Sequence, residues 1–386
     1  MLQKIPGVGK ISNLIRRSPV LSPWRLNQAV WAEEVTDGSI ENLRILWPAE
    51  KVSFELDELD RRFLQVCKYF NDGTYSRRNI FTCEVPDAYV HVATGLTCTR
   101  DFKAIIDCHY DRRRMETNWQ YGRAKPGKTR RRKLPATPPG ARYAVVSDTW
   151  SFNWHHFLSD NLTRLYSISR AYPNDRIIVL TQQWPKSDWR DLVAASLPPN
   201  FEVHAVKEDI WLEVDRLVLP SFVTARGNYH IPPGYYEPMR QYAFAHLGLP
   251  PQPEPRERIY VSRKNGRSRR VLNEDELVEF LKPYGFRSIL PEKMPFKEQV
   301  DLYRRAEIVA GVYGANWALN VYSGPIKNLV LYADRNPETY VFTFSKALGQ
   351  AHHFLTGASD DANADFHADL GAVKRVLEDE MGLKPV

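Results

Sequence analysis

The segment from residue 258 to residue 333 alternates between short apolar runs and amphipathic stretches, and this order constrains the fold more than any other feature. The runs of strand length are RIYVSR (258–263), FRSIL (286–290), EIVAGV (307–312) and NLVLYA (328–333). Helical patterns separate them: NEDELVEFLKPY (273–284), PFKEQVDLYRRA (295–306) and, after the turn YGAN, the short stretch WALNVYS. Because parallel strands need crossover connections, this order predicts a parallel, doubly wound sheet. We expect Asn273 to cap the first helix, with Glu276 completing a capping box.

A second, less regular α/β pattern precedes this one. From Ala144 onward the predicted elements are the strand AVVSD, a helix from about Trp154 to Ala171, strands at 176–180, 201–206 and 215–220, and helices near Asp188–Leu197 and Tyr236–Leu247. The Pro-rich segment GLPPQPEPRE (248–257) reads as a linker. Two α/β units joined by a linker predict a two-lobed protein with a cleft between the lobes.

The predicted division of the chain follows from these patterns. It comprises a mixed α/β extension over 1–140 that ends in a basic surface loop or hinge (111–140), a first Rossmann-like lobe over 141–247, a second over 248–345, and a C-terminal tail over 346–386 with an amphipathic helix at 369–381. Strand-like runs in the extension, at 79–85, 88–95 and 103–108, suggest no chemistry.

The charge of the chain is concentrated in one place. The net charge is +7, and the run RAKPGKTRRRK (123–133) alone carries seven basic residues and no acidic one. The rest of the chain is therefore neutral, which argues against a general nucleic-acid surface and for one exposed basic loop. We expect this loop to meet an anionic acceptor or membrane headgroups, with simple solvation as the alternative. A nucleic-acid-binding protein that uses this run with Trp119 and Tyr121 is the competing class of function.

The N-terminus and the cysteines bear on the cellular compartment. No apolar run is long enough for a signal sequence or a membrane span, so we expect a cytoplasmic protein, in peripheral contact with the membrane at most. Four cysteines, Cys67, Cys83, Cys98 and Cys108, show no C-x-x-C spacing. They are expected to be reduced thiols of the core rather than zinc ligands. The oligomeric state is not indicated.

The stretch SFNWHHFLSDNL (151–162) places polar side chains in an apolar setting. If it is helical from Trp154, His156 and Asp160 are four residues apart and share one face. On their own they could form an ordinary surface pair, with Asn153 as the N-cap. His155 points to another side of the helix and is expected to be structural.

Two segments of the second unit follow strands, where parallel sheets bind ligands. SRKNGRSRR (262–270) supplies Arg263, Lys264 and Arg269, and VYGAN (312–316) supplies Gly314 and Ala315, next to a helix N-terminus. Guanidinium groups and a turn of small residues predict a diphosphate site. Neither a Walker loop nor a G-x-G-x-x-G fingerprint is present.

These stretches together resemble family 61 glycosyltransferases over about residues 145–335. The shared elements are S-R (262–263), R-R-V-L-N-E (269–274), F-K-E-Q-V-D-L (296–302) and G-V-Y-G-A (311–315), with N-x-x-H-x-x-x-D at 153–160. The resemblance implies a GT-B fold, a nucleotide-sugar donor, usually a UDP-sugar, a saccharide or lipid-linked acceptor, and inverting transfer without a metal or other cofactor. It also implies a role in bacterial surface-polysaccharide assembly.

Carried over by position, the resemblance implies specific contacts. Arg263 and Arg269 would hold the diphosphate, with Lys264 as a further donor-binding residue. Gly314 and Ala315 would form a backbone cradle, and the remaining donor contacts would come from Asn153, Glu298, Tyr313 and Asn316. The family's His is Tyr313 here, which leaves a catalytically inactive nucleotide-binding relative as a further alternative. Because inverting transfer needs a base, either His156 or Asp160 would take the acceptor's proton.

Overall fold

The computed structural model describes residues 28–67, 73–109, 112–123, 130–151, 153–182, 197–206, 209–224, 231–232, 234–250, 254–334, 337–359 and 362–386. Seventeen strands and eight helices are named here in chain order. The strands up to the linker are β1 (Gln28–Val30), β2 (Glu41–Trp47), β3 (Glu50–Ser53), β4 (Thr74–Arg77), β5 (Ile80–His91), β6 (Leu96–Cys98), β7 (Lys103–Ile105), β8 (Arg131–Lys133), β9 (Ala141–Val145), β10 (Arg176–Gln182), β11 (Phe201–Val206) and β12 (Trp211–Pro220). The later strands are β13 (Glu257–Val261), β14 (Phe286–Ile289), β15 (Ala306–Val312), β16 (Lys327–Ala333) and β17 (Ala351–Gly357).

The helices lie between these strands. They are α1 (Glu58–Val66), α2 (Arg112–Arg123), α3, α4 (Glu237–His246), α5 (Glu274–Leu281), α6 (Phe296–Arg304), α7 (Tyr340–Ala347) and α8 (Leu370–Arg375, continued by a π turn Val376–Glu380). Helix α3 has three parts: Trp154–His156, a π turn Phe157–Asn161, and Leu162–Ala171. Short 3₁₀ helices occur at Ala32–Glu34, Ile106–Cys108, Lys282–Tyr284, Pro291–Lys293 and Ala315–Tyr322.

The first sheet joins the N-terminal region to the first α/β unit. Its order is β1-β7-β6-β5-β12-β9-β10-β11, with β2 added to β5 and β8 added to β12. Strands β12, β9, β10 and β11 are parallel, as the sequence predicts. Strand β5 pairs antiparallel with β12, from His91 opposite Trp211 to Thr82 opposite Pro220. The runs predicted at 79–85 and 88–95 are thus mostly one strand, and the N-terminal region shares a sheet with the first unit.

The second sheet is wholly parallel, in the order β14-β13-β15-β16-β17. This confirms the parallel sheet predicted for the second unit, and β17 with helix α7 extends it beyond that prediction. The predicted capping box at Asn273 is wrong. Its side chain makes no helix-capping hydrogen bond. It bonds instead to both backbone groups of Ala368, which ties this helix to the C-terminal segment.

The prediction of a basic surface loop over residues 111–140 is wrong for two segments, which form a helix and a strand. Residues 112–123 form helix α2, because Met115 and Trp119 lie four residues apart and bury one face. Residues 131–133 form β8, parallel to β12, although all three side chains are exposed as expected. Residues 124–129 of the basic run, the helix predicted at 188–197 and part of the linker lie outside the described residues.

The two sheets share one apolar core. Residues such as Val146 and Phe157 of the first unit belong to the same buried cluster as Val309 and Trp317 of the second. Helix α1, from the N-terminal region, also packs on the second sheet. Its Phe63 ring lies 5.0 Å from that of Phe354 and 5.3 Å from that of Tyr332.

Two further sequence expectations can be compared with the structure. All four cysteines are buried and free of disulfides, as predicted for core thiols, and burial raises the pKa of Cys67 and of Cys108 to about 12. Among the described helices, none combines the length and the apolar character needed to cross a bilayer.

Candidate active site

The His156–Asp160 pair predicted from spacing is formed in the structure. Nδ1 of His156 lies 2.8 Å from Oδ2 of Asp160. Asn153 begins the helix and accepts a hydrogen bond from the backbone N–H of His155 at 2.9 Å, which confirms it as the N-cap. The π turn at 157–161 follows directly, a feature common at functional sites. The carboxylate therefore fixes one edge of the imidazole ring.

Asp160 is held on both oxygens. Its Oδ1 accepts a hydrogen bond from the Thr224 hydroxyl at 2.6 Å, while Oδ2 faces His156. The side chain is 1% exposed, whereas that of His156 is 20% exposed. Burial by itself would raise the pKa of Asp160, but the bond to His156 and nearby positive charge outweigh burial and lower it. Asp160 is therefore a buried carboxylate at neutral pH.

The neighbouring His155 has a different environment. It is buried, and burial lowers its pKa to about 3, so it is neutral at physiological pH. Its ring lies 4.2 Å from the ring of Tyr340 in helix α7. His155 therefore packs against the second unit, in agreement with the structural role expected for it.

The pair lies at the topological switch point of the first sheet, the place where the chain connections from two neighbouring strands leave in opposite directions. Strand β9 leads through α3 to β10 on one side, and β12 lies on its other side, so the carboxyl ends of β9 and β12 mark the place where sheets of this kind bind ligands. Arg164 is fully buried there and donates to the carbonyl oxygens of Val145, Val146 and Pro220. The strand ends and the site helix are thus tied together by one guanidinium group.

The predicted diphosphate residues meet at the equivalent point of the second sheet. Arg263 follows β13 and Gly314 follows β15, and these two neighbouring strands form the topological switch point of the second sheet. A Cβ atom built on Gly314 would lie only 2.5 Å from Nη1 of Arg263, so the glycine lets the guanidinium lie against the backbone. Nε of Arg263 donates to the carbonyl of Ser268 at 2.9 Å. Burial lowers the pKa of the Arg263 guanidinium, and nearby Arg269 lowers it further.

Tyr313 occupies the position of the family's histidine. Its ring lies 5.0 Å below the guanidinium carbon of Arg269, and its hydroxyl donates to Glu338. Its ring also lies 4.9 Å from that of Tyr340, whose hydroxyl donates to the carbonyl of Gly314. The residue is 5% exposed, so it supports the arginine rather than presenting a polar group at the surface.

A continuous set of contacts joins the two halves of the site. The rings of His156 and His155 are 5.2 Å apart, His155 packs on Tyr340, and Tyr340 bonds to Gly314. The first turn of α3 also packs on the 3₁₀ helix that follows Gly314. The structure therefore brings together the two groups of residues that the sequence predicts to face each other.

Other predicted donor contacts lie at the edge of this arrangement. Lys264 is exposed in an ion pair with Asp275 at 2.8 Å, and Glu298 is exposed in the first turn of α6. Ala315 and Asn316 are half-buried at the start of a 3₁₀ helix. Donor contacts from these residues and from Asn153 stay predictions.

Sequence reasoning missed a group of residues behind His156. The Trp150 ring stacks on the imidazole at 5.7 Å between centroids and 25° between planes, and the guanidinium carbon of Arg114 lies 4.7 Å from the Trp150 ring. Asp148 is buried, and burial raises its pKa, in contrast to Asp160. Only the spacing of Met115 and Trp119 could have indicated that Arg114 lies on a helix that packs against the sheet.

Comparison with known proteins adds a family assignment. Residues 154–330 match the family model described as Glycosyltransferase 61. A solved structure of dodecameric iron-containing heptosyltransferase TibC in complex with ADP-D-beta-D-heptose is similar at 12% identity and a TM-score of 0.28. That match covers 60% of this chain and 66% of that one, so it spans just under two thirds of that chain. A TM-score of 0.28 is too low for this similarity to support a conclusion about fold or function. No curated protein matches the chain.

The family match spans both halves of the site, from the first turn of α3 to strand β16. It includes His156, Asp160, Arg263 and Gly314, the residues that the contacts above bring together. The resemblance expected from the motifs is confirmed over this segment: residues 154–330 match the domain of family 61 glycosyltransferases.

Proposed function

We propose that the protein is an inverting glycosyltransferase that moves a sugar from a nucleotide-sugar donor, a UDP-sugar in the first instance, to a saccharide or lipid-linked acceptor. The contact between the His156 side of the first sheet and the Arg263–Gly314 side of the second carries this proposal. In this proposal a base acts on one side of the reacting sugar and cationic groups act on the other, the two requirements of a single displacement. The parallel strands β9 to β12 of the first sheet and the wholly parallel second sheet support a two-lobed GT-B arrangement.

His156 is the general base in this proposal. Asp160 is buried and bonded on both oxygens, and its lowered pKa makes it a weak proton acceptor. When Nδ1 of His156 is protonated and donates a hydrogen bond to the Asp160 carboxylate, Nε2 carries the lone pair. That nitrogen takes the proton of the acceptor hydroxyl as the hydroxyl oxygen attacks the anomeric carbon. Asp160 then stabilises the imidazolium that forms.

The leaving nucleotide diphosphate is held on the opposite side. Arg263 and Arg269 donate to phosphate oxygens, and the backbone N–H groups of Gly314 and Ala315 face the same charge. Arg269 is supported from below by the Tyr313 ring, so the exchange of the family's histidine for tyrosine is compatible with anion binding. These guanidinium groups neutralise the charge that a divalent ion neutralises in other transferases, and we propose metal-independent turnover.

The acceptor is proposed to belong to bacterial surface-polysaccharide assembly at the cytoplasmic face of the membrane. This part of the proposal is supported by the family's motifs and by the exposed basic residues 130–133. The nucleic-acid alternative is weakened, because Trp119 is buried at an edge-on contact with Trp211 and is not available for stacking on a base.

A panel of nucleotide sugars tests the proposal. We expect UDP or one UDP-sugar to raise the melting temperature of the protein, and the matching UDP-sugar to release UDP when acceptor is added. NMR of the product should show the opposite anomeric configuration to the donor, with turnover unchanged by EDTA. Stabilisation by UDP with no transfer to any acceptor would indicate an inactive nucleotide-binding relative. Turnover abolished by EDTA and restored by magnesium or manganese would overturn the metal-independent step.

A further inference from the structure

Residues outside the family match complete the surroundings of His156. The Trp150 indole stacks on the imidazole, and Arg114, from helix α2 of the N-terminal region, lies on the Trp150 ring. Both residues precede the matched segment, which begins at residue 154. No motif of the chain includes them, so any role they have rests on their geometry.

The turn that carries Trp150 is itself fixed. The backbone N–H of Trp150 donates to Oδ1 of Asp148 at 2.7 Å, and the backbone N–H of Asp148 donates to the hydroxyl of Ser151, also at 2.7 Å. Nδ2 of Asn161, the residue that follows Asp160, donates to the same hydroxyl at 2.8 Å. Arg114 lies 3.6 Å from Oδ1 of Asp148. The indole is therefore held by the strand end, by helix α3 and by helix α2 together.

Two independent contacts then define the orientation of the imidazole. The hydrogen bond to Asp160 fixes which nitrogen is protonated and the direction of one ring edge. A hydrogen bond to a single ring nitrogen still allows the ring to tilt about that bond. A stacked indole at 25° removes this freedom by fixing the ring plane.

We propose that Trp150 and Arg114 are positioning residues of the transfer reaction: Trp150 sets the plane of the His156 ring, and Arg114 holds Trp150 against it. The N-terminal region thus completes the site. This inference rests on the proposed function, in which His156 is the base. Catalysis by a positioned base loses rate when the base tilts, whereas donor binding by the second sheet does not depend on its plane.

Kinetics give the first test. We expect Trp150→Ala to lower kcat by about tenfold to a hundredfold with the donor KM unchanged within about twofold, since small displacements of a catalytic group have effects of this size. Trp150→Phe keeps a stacking ring and should retain activity within about threefold. Arg114→Ala should fall between them, and Arg114→Lys should recover part of the loss.

A matched control separates positioning from loss of packing. Trp47 is also half-buried, carries the guanidinium of Arg170 at 4.5 Å from its ring, and contacts the other end of helix α3 through Tyr166. We expect Trp47→Ala to lower the melting temperature about as much as Trp150→Ala and to leave kcat unchanged. An equal loss of kcat in both variants would overturn the proposal, because the effect would then be general destabilisation.

A readout that needs no turnover distinguishes failure of this inference from failure of the proposed function. In NMR spectra of protein labelled with ¹⁵N-histidine, the Nδ1–H signal of His156 can be assigned as the signal that disappears in the variant His156→Gln. We expect that signal to persist in Trp150→Phe and to broaden or disappear in Trp150→Ala as the ring becomes mobile. An unchanged signal in Trp150→Ala would overturn the positioning role even if the protein is an active transferase. A lost signal in a protein without transferase activity would keep the geometry and reject the reaction.

Discussion

The switch points of the two sheets have the same topology and opposite chemistry. At the first, the ionisable groups are closed in by the protein: Asp160 bonds to His156 and Thr224, and Arg164 binds strand carbonyls. At the second, Arg263 lies against a glycine, and the segment that follows it is basic and mostly exposed. Parallel sheets offer a ligand site at this edge regardless of which residues occupy it.

Under the proposed function, this difference lets one architecture serve two halves of a reaction. A base needs a fixed orientation, and internal hydrogen bonds fix His156 in the first sheet. A leaving diphosphate needs cationic donors, and the second sheet offers guanidinium groups on a loop, where Nε of Arg263 binds the backbone of Ser268. Variants at the first edge should therefore affect kcat, and variants at the second should affect donor affinity.

The largest expected effect is at the first edge. His156→Gln should lower kcat by about a hundredfold or more, the scale of general base catalysis, with UDP affinity by calorimetry unchanged. Asp160→Asn should lower kcat by a comparable factor, because it removes the charge that orients and stabilises the imidazole. The control is the pair His353–Glu380, in which Nδ1 of the histidine lies 3.1 Å from the carboxylate. Glu380→Gln changes a similar histidine–carboxylate contact that belongs to neither proposed edge of the site, and it should not change kcat.

These variants also decide which residue is the base. If Asp160→Asn is inactive while His156→Gln turns over normally, the carboxylate is the base and our assignment to His156 is wrong. Normal turnover in both, with circular dichroism unchanged, would make the pair a structural feature of helix α3.

The next largest effect should be at the second edge. Arg263→Ala leaves phosphate charge uncompensated, at a cost of about 2 to 3 kcal/mol for charge-assisted hydrogen bonds, so the Kd for UDP should rise tenfold or more. Arg258→Ala is the control on the same strand, since that guanidinium bonds to Glu307 and the carbonyl of Tyr284 at the opposite end. Equal UDP affinity in the parent protein and in Arg263→Ala would show that the diphosphate does not bind at this site.

A smaller effect should follow from a single methyl group. Gly314→Ala places a Cβ 2.5 Å from the end of the Arg263 side chain, which is flexible enough to move aside without unfolding the protein. We expect the Kd for UDP to rise about threefold to tenfold, part of the value of the displaced hydrogen bonds, with the melting temperature nearly unchanged. Gly371→Ala, which adds a methyl group in helix α8, should change neither quantity. A donor affinity that is insensitive to Gly314→Ala would show that the guanidinium need not lie against the turn.

The variant with the smallest expected effect on the transfer reaction itself changes the basic residues that neither edge includes. Neutralising Arg130, Arg131 and Arg132 together should weaken binding to vesicles of anionic lipid by about 1 kcal/mol per residue, in a salt-dependent way. Transfer to a soluble acceptor should be unaffected. If the parent protein does not bind vesicles and the variant has unchanged acceptor kinetics, these residues have no role in binding and are simply exposed to solvent.

Four of the five strands of the second sheet, β13 to β16, could be predicted nearly residue by residue, whereas β17 was missed, and for three of the four the reason is burial. Strands β13, β15 and β16 are covered on both faces, so each appears as a continuous apolar run between turn residues. Helix α2 was missed because only Met115 and Trp119 mark its buried face within a strongly charged sequence. Strand β8 was missed because all of its side chains are exposed and only backbone pairing with β12 defines it.

The same distinction applies to the site. His156 with Asp160, and Arg263 with Gly314, could be predicted because helix periodicity and strand ends place them locally. Trp150, Arg114 and Tyr340 could not, because their contacts join elements distant in sequence and no spacing rule relates them. The pairing of β5 with β12, across 120 residues between His91 and Trp211, is of the same kind.

The position of helix α1 on the second sheet has a consequence for how the chain acquires its structure. Lys346 is the partner of Asp60, 286 residues later in the chain. At a synthesis rate of about 5 to 20 residues per second, roughly a quarter of a minute to a minute passes before that partner emerges from the ribosome. During this interval Phe63 and its neighbours have no surface to cover. We therefore expect helix α1 to be among the last parts to reach its native state, and a nascent chain arrested before residue 340 to expose this helix to chaperones and proteases.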